Sequence, residues 1–341
     1  PLLPVAHTTN HAQIEIVLDE IGNFLRANIV NKKDSRTIIP CTEDSCGRTS
    51  GPSPHPLCDK LQYVAGDYKK YGGEKKSQYN SYKKLLKQWL DFDNSNQKIK
   101  SIFTYINNGT IIEDLIKYGI LCFKKSNNEN KQMLFFKLDS EDNQNIEKIS
   151  ASDAFVRWVV EIPGVLQSKV WEDKEMWDSW KRYYLSDESK SGFCQITGTK
   201  CKIATNHPAK IRHDGDKAKL ISSNDKDGFT FRGERAKTAY DACSIGYETS
   251  QKFHSVLKWL LNRQGDRKLG FVAWAVSGTN IPDPFKDVYD ICVSLYGEKY
   301  IDSYTAQDVG IGLSKLLVGY YAKIKEINDN IIIMGIDSLV P

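Results

Sequence analysis

Four side chains within ten residues, His207, His213, Asp214 and Asp216, are of the types that hold divalent metals in nucleases and phosphohydrolases. Imidazole and carboxylate ligands could there activate a water against a phosphodiester. Such enzymes usually carry their His and Asp on a helix, with further ligands far away in sequence. Asp214-Gly215-Asp216 reads instead as a turn, and no second ligand cluster completes the set. A metal-dependent nuclease or phosphohydrolase using His207, His213, Asp214 and Asp216 is therefore the alternative reading of function. Apart from that alternative, no catalytic residue, no metal and no cofactor is expected. Cys41, Cys46, His55 and Cys58 follow a C-x4-C-x8-H-x2-C spacing, looser than a zinc ribbon or finger knuckle. Zinc ligation and free thiols on a loop both stay open. Cys194 and Cys201 flank Thr197-Gly198, but two ligands alone do not make a structural metal site. No Gly-x-Ser-x-Gly elbow and no Walker loop is present, and Tyr71-Gly72-Gly73-Glu74-Lys75-Lys76 reads as a turn before a helix.

A different chemistry is concentrated between Lys200 and Tyr240. Ten basic side chains stand there (Lys200, Lys202, Lys210, Arg212, Lys217, Lys219, Lys226, Arg232, Arg235 and Lys237) against five acids. The local excess of +5 exceeds the +4 of the whole chain. Lysine and arginine neutralise phosphates, aromatic rings stack on bases, and Asn or Ser reach base edges. Phe229 and Phe231 interleave with the basic residues, preceded by Ser222, Ser223 and Asn224. Their alternation puts both rings on one strand face, which serves a core as well as a contact surface. Asn224 is equally able to meet a base edge or to cap its own turn.

The elements that must position these groups follow from periodicity. The 341 residues suggest about two domains. Apolar residues make up 40% and charged residues 26%, which excludes disorder and coiled coil for the chain as a whole. No apolar run approaches the ~20 residues of a membrane helix. Eight cysteines are too sparse for a disulfide framework, so a reducing cytoplasm fits best. Gln13–Leu18 and Phe24–Val30 read as a hairpin with a Gly-containing turn, and Gly47–Pro56 as a loop. Helices are expected over Ser77–Phe92, Ile99–Asn107, Thr110–Tyr118, Lys174–Tyr184, Thr238–Gln264, Asp287–Tyr296 and Ala306–Ile324. Strands are expected over Met133–Leu138, Asp153–Ile162, Lys268–Val276 and Ile331–Ile336. Mixture without strict alternation favours an α+β fold of mixed, mostly antiparallel sheets with inserted and flanking helices. Residues 1–150 form a first region with a helical insertion near 77–118. Residues 151–341 form a second, with the basic segment 200–240 and a long helix over 238–264. The start on Pro1 and the end just after a β-like run suggest an ordered portion of a longer chain.

Particular words go further. Arg48-Thr49-Ser50-Gly51 precedes Leu57-Cys58-Asp59-Lys60-Leu61-Gln62-Tyr63-Val64-Ala65-Gly66. Cys194-Gln195-Ile196-Thr197-Gly198 comes with His207-Pro208. Lys219-Leu220-Ile221-Ser222-Ser223-Asn224 leads to Gly228-Phe229-Thr230-Phe231-Arg232-Gly233, and Ile245-Gly246-Tyr247-Glu248-Thr249-Ser250-Gln251-Lys252-Phe253-His254 to Leu257-Lys258-Trp259-Leu260-Leu261. In this order they resemble the large subunit of the type I-C CRISPR Cascade surveillance complex, without its C-terminal helical bundle. The resemblance implies a non-catalytic, prokaryotic, cytoplasmic subunit. Such a subunit reads a protospacer-adjacent motif on duplex DNA, helps open the duplex and supports recruitment of a helicase-nuclease. The partners implied are target double-stranded DNA, the 5′ end region of the guide RNA, the other Cascade backbone subunits and that helicase-nuclease. The nucleic-acid-binding residues expected are Arg48, Thr49, Ser50, Lys60, Lys219, Ser222, Ser223, Asn224, Lys226, Phe229, Arg232 and Arg235.

Overall fold

Strand β2 (Ile14–Asp19) alternates Ile14, Ile16 and Leu18 with Glu15 and Val17, so one face of it is wholly apolar. This strand organises the fold. A computed structural model describes residues 2–46, 48, 51–73, 75–125, 132–136, 153–212, 216, 218–222, 238–264, 271–278 and 331–336. The other strands are β1 (His7–His11), β3 (Phe24–Ile29), β4 (Arg36–Pro40), β5 (Leu121–Lys125), β6 (Gln132–Phe136), β7 (Val156–Glu161), β8 (Ser191–Phe193), β9 (Lys200–Lys202), β10 (Phe271–Ala275) and β11 (Ile331–Gly335). The helices are α1 (Glu43–Cys46), α2 (Leu61–Val64), α3 (Tyr79–Phe92), α4 (Gln97–Asn108), α5 (Ile111–Lys117), α6 (Lys174–Leu185), α7 (Ala239–Ala242) and α8 (Tyr247–Gln264). The architecture is α+β.

The chain divides into two compact units. The first takes 3–206 and 223–251, the second 207–222 and 252–341. In the first, β2 pairs antiparallel with β3 and parallel with β7, in the order β3-β2-β7. The hairpin turns at Gly22, where φ is 92° and a Cβ would stand 2.5 Å from the Ser101 carbonyl oxygen. The register with β7 runs from Ile14 opposite Val156 to Asp19 opposite Glu161. Residues on both sides of position 150 thus build one sheet. Ile14, Ile16 and Leu18 share a core with Trp158, with Tyr82, Leu86 and Trp89 of α3, with Ile102 and Tyr105 of α4, and with Trp180 of α6. The opposite face carries Val17, Val159 and Trp171. There the Arg157 guanidinium stacks 4.0 Å from the Trp171 ring centroid and binds Glu15 at 2.7 Å.

Helix ends are set locally. The Asn96 side chain accepts from the amides of Lys98 and Ile99 to start α4, and Gly109, at φ 70°, ends it in the left-handed conformation. Asp173 caps α6 and also holds the buried Lys98 ammonium. The helix expected over Thr238–Gln264 is broken. Residues 243–246 are drawn into strand-like bonding: the Ser244 carbonyl accepts from the Gln195 amide at 2.7 Å and that of Ile245 from the Ala204 amide at 2.9 Å. Those bonds replace helical ones, so α7 and α8 are separate. The antiparallel pairs β1–β4, β5–β6 and β8–β9 complete the first unit's described strands. In the second unit β10 and β11 pair antiparallel, and Ile211, Leu257, Leu261 and Val272 form a core of their own. The helices expected at Asp287–Tyr296 and Ala306–Ile324 lie outside the described residues.

Candidate nucleic-acid interface

The loop after α1 is built on one buried carboxylate. Asp59 is 0% exposed and accepts both guanidinium arms of Arg48, Nη1 at 2.9 Å and Nη2 at 2.6 Å. It also accepts the backbone amides of His55 and Lys60, each at 2.8 Å. Arg48 Nη1 donates to the Ser53 carbonyl at 2.6 Å, and the guanidinium stacks 4.0 Å from the Tyr63 ring centroid. Tyr63 in turn donates its hydroxyl to the Gly51 carbonyl at 2.7 Å. Arg48 is therefore the internal brace of the loop, with its charge turned inward. The loop is held to the sheet by the Leu57 carbonyl, which accepts from Tyr82 Oη at 2.5 Å and from Trp158 Nε1 at 2.9 Å. Lys60, a third exposed, reaches Asp153 at 3.0 Å, and Lys75 reaches the same carboxylate at 2.6 Å. Burial opposes ionisation of Asp153, but the Lys75 and Lys60 ammonium groups outweigh it and hold the carboxyl below its ordinary range. Thr49 and Ser50 lie outside the described residues.

Of the basic segment, Lys200 and Lys202 belong to the first unit. Lys202 is buried: its ammonium lies 3.8 Å from the Tyr184 ring centroid and donates to the Tyr184 carbonyl at 2.9 Å and to Asp187 at 3.2 Å. In the second unit, Lys219 forms an isolated antiparallel bridge with Ala209, and Ser222 is exposed. Ser223, Asn224, Lys226, Phe229, Arg232 and Arg235 lie outside the described residues, as do His213 and Asp214. Asp216 is committed to Arg212, whose Nε donates at 3.0 Å, and to the Ala218 amide at 3.0 Å. Burial, and then the nearby Lys219 ammonium, lower the His207 pKa to about 4, so this imidazole is neutral near pH 7.

Cys41 and Cys58 are fully buried, and His55 meets the Phe155 ring edge-on at 6.1 Å. Burial pushes the Cys58 thiol up to about 12. Among the described residues, no group of three or more His, Cys, Asp or Glu side chains is placed to hold a metal.

Cys194 lies in a different setting. Burial works against its ionisation, but the Thr197 hydroxyl and the amides of Gly246, Thr197 and Ile196 outweigh it and lower the thiol to about 6. Cys201 hydrogen-bonds to the same sulfur. Residue type and spacing assign no role to this sulfur, to Asp59 or to Lys75. For Asp59 the available signal was an acid following a loop rich in Pro and Gly, with Arg48 the nearby basic partner.

The profile of the CRISPR-associated protein family Cas_Csd1 matches residues 1–339. The chain belongs to that family. The braced loop at 48–60 thus belongs to a CRISPR-associated protein. No curated protein matches the chain. Among the described residues, no helix is long and apolar enough to cross a membrane.

Proposed function

We propose that this chain is the large subunit of a type I-C Cascade complex, that it reads a protospacer-adjacent motif on duplex DNA and helps to open it, and that it catalyses nothing itself. The match of residues 1–339 to a CRISPR-associated family carries the reading. The physics supports it. Replacing a DNA duplex by a guide–target heteroduplex is nearly balanced in free energy, so a few protein contacts can tip it. Such contacts call for lysine and arginine on phosphates and a few polar groups on base edges. Lys219, Lys226, Arg232 and Arg235 supply the first, and Ser222, Ser223 and Asn224 the second. Arg48 acts through Asp59 by bracing the loop that runs to Lys60, and Thr49 and Ser50 follow Arg48 in sequence. Guide RNA, the backbone subunits and a recruited helicase-nuclease are its proposed partners, in a prokaryotic cytoplasm.

The experiment compares duplexes with the cognate and the scrambled motif, bound by the chain assembled with its guide RNA and backbone subunits. Preference for one motif, steep salt dependence and intact DNA in Mg²⁺ or Mn²⁺ are expected. Cleavage by the chain alone that is lost in His213→Ala would establish the nuclease instead. Absence of any DNA affinity would leave a scaffold that binds only protein subunits.

A further inference from the structure

A second dense run of basic charge lies outside the 200–240 segment. Between Lys69 and Lys87 there are seven lysines and one glutamate, an excess of +6 in nineteen residues, where the whole chain carries +4. All of it falls in the first unit. We propose that the surface formed by the α2–α3 connection, α3 and the adjoining face of α4 is a second phosphate-binding surface, which holds duplex DNA by its backbone without reading sequence. The inference rests on the proposed function, since it supplies that subunit with a second, nonspecific grip on the same duplex.

Hydrogen bonds tie the connection and the start of α3 to α2. The Gln62 side-chain amide donates to the Lys76 carbonyl at 2.7 Å, and the Gln78 amide to the Gln62 carbonyl at 3.1 Å. α3 buries Tyr82, Leu86, Trp89 and Leu90, which leaves Lys84 and Lys87 exposed and Lys83 at the margin. Tyr79 Oη donates to the Ile106 carbonyl at 2.6 Å, and the Lys87 ammonium lies 5.7 Å from the Phe103 ring centroid, so α3 and α4 present one continuous face. Lys100 is exposed on α4. Three acids neutralise part of the array: Glu113 takes Lys70, Asp153 takes Lys75, and Asp91 takes Lys87. Lys76, Lys83, Lys84 and Lys100 have no carboxylate within ion-pair distance among the described residues.

Like charges held close without counter-charge raise the local potential, which a polyanion relieves. Lysine is a compact point charge that suits phosphate at many angles. A single strand would additionally need open aromatic platforms. The exposed ring of α3, Phe92, stands at its C-terminal end, where it packs edge-on against Tyr183 at 5.5 Å. Tyr71 and Tyr79 are half-buried and lie beneath lysine ammonium groups, Lys70 at 5.1 Å and Lys83 at 5.7 Å. Contact through phosphates alone therefore fits, and a duplex presents these in two fixed rows.

The test replaces Lys76, Lys83, Lys84 and Lys100 by Gln together in the full 341-residue chain. Binding to a duplex of about 30 base pairs, long enough to span several phosphate contacts, is then measured across a salt series, beside a single-stranded RNA of equal length. The slope of log K against log salt should flatten by roughly 0.9 for each lysine that engages a phosphate, about 3.6 at most. The ratio of cognate to scrambled duplex should not move, and replacement by Arg should restore the slope. An unchanged slope and affinity in the Gln variant, while Lys219→Ala still weakens binding, overturns the surface and leaves the proposed function standing. A loss confined to RNA overturns the assignment to duplex. A wild-type chain that binds no duplex at any salt overturns the function, and this surface with it.

Discussion

Arg48 and Asp59 show how one buried pair fixes a loop. Removing the guanidinium leaves a fully buried carboxylate with only backbone amides, and breaking a buried pair on one side typically costs about 3–5 kcal/mol. Arg48→Ala should destabilise the fold by that amount in chemical denaturation, and a replacement of both Arg48 and Asp59 by apolar residues should recover much of the loss. If Arg48→Ala left stability intact and removed only DNA affinity, the side chain would be a phosphate ligand. Cys194 gives a second test at this scale. Its thiol ionises near 6 in the folded chain against an ordinary 9.0. A depressed pKa adds stability that is complete above about 9 and disappears as pH falls through about 6. The stability difference between wild type and Cys194→Ala should therefore widen from about pH 6 to about pH 9 in chemical denaturation. A difference that stays flat with pH would show that no thiolate is held there.

Among the elements, the break between α7 and α8 is the most exacting. A Cβ on Gly246 would stand 2.7 Å from Cys201 Sγ and 3.4 Å from Thr249 Oγ1. Gly246→Ala should thus cost about 1–3 kcal/mol as an overpacked site, read as a shift in melting temperature. The same variant should disturb the amide that Gly246 offers to Cys194, and so raise that thiol's pKa. This corner also shows what periodicity could and could not convey. Tyr82, Leu86, Trp89 and Leu90 announce α3, because a helix that buries one face must repeat apolar residues at that spacing. Tyr240 and Tyr247, seven residues apart, fit the same repeat, yet the bonds that pull 243–246 out of a helix come from Gln195 and Ala204, far back along the chain. The parallel pairing of β2 with β7 was hidden for the same reason, Ile14 and Val156 being remote in sequence. At the candidate interface, the basic excess of 200–240 was legible by counting. The inward turn of Arg48 and the burial of Lys202 were not, since both depend on where Asp59 and Tyr184 come to lie.

At the scale of the whole molecule, a net charge of +4 conceals two segments that each exceed it. Affinity and selectivity can then be carried by different groups. Lysine and arginine charges act over a Debye length of about 8–10 Å and are screened by salt, whereas a side-chain amide acts only at hydrogen-bond distance and only on the base it faces. Lys219→Ala, Lys226→Ala and Arg235→Ala should accordingly weaken every duplex alike and flatten the salt slope by roughly 0.9 for each phosphate no longer engaged. Asn224→Ala should do the reverse. If its amide meets a base edge, melting temperature holds and about 1–3 kcal/mol is lost against the correct motif alone, a change of ~5–150-fold in preference. If it caps the Ser222-Ser223-Asn224-Asp225 turn, stability falls and the cognate-to-scrambled ratio stays where it was. Melting curves and binding of the assembled complex to both duplexes, measured side by side, separate the two. An unchanged ratio would move the search for the base reader to Thr49 and Ser50, which follow Arg48 in sequence.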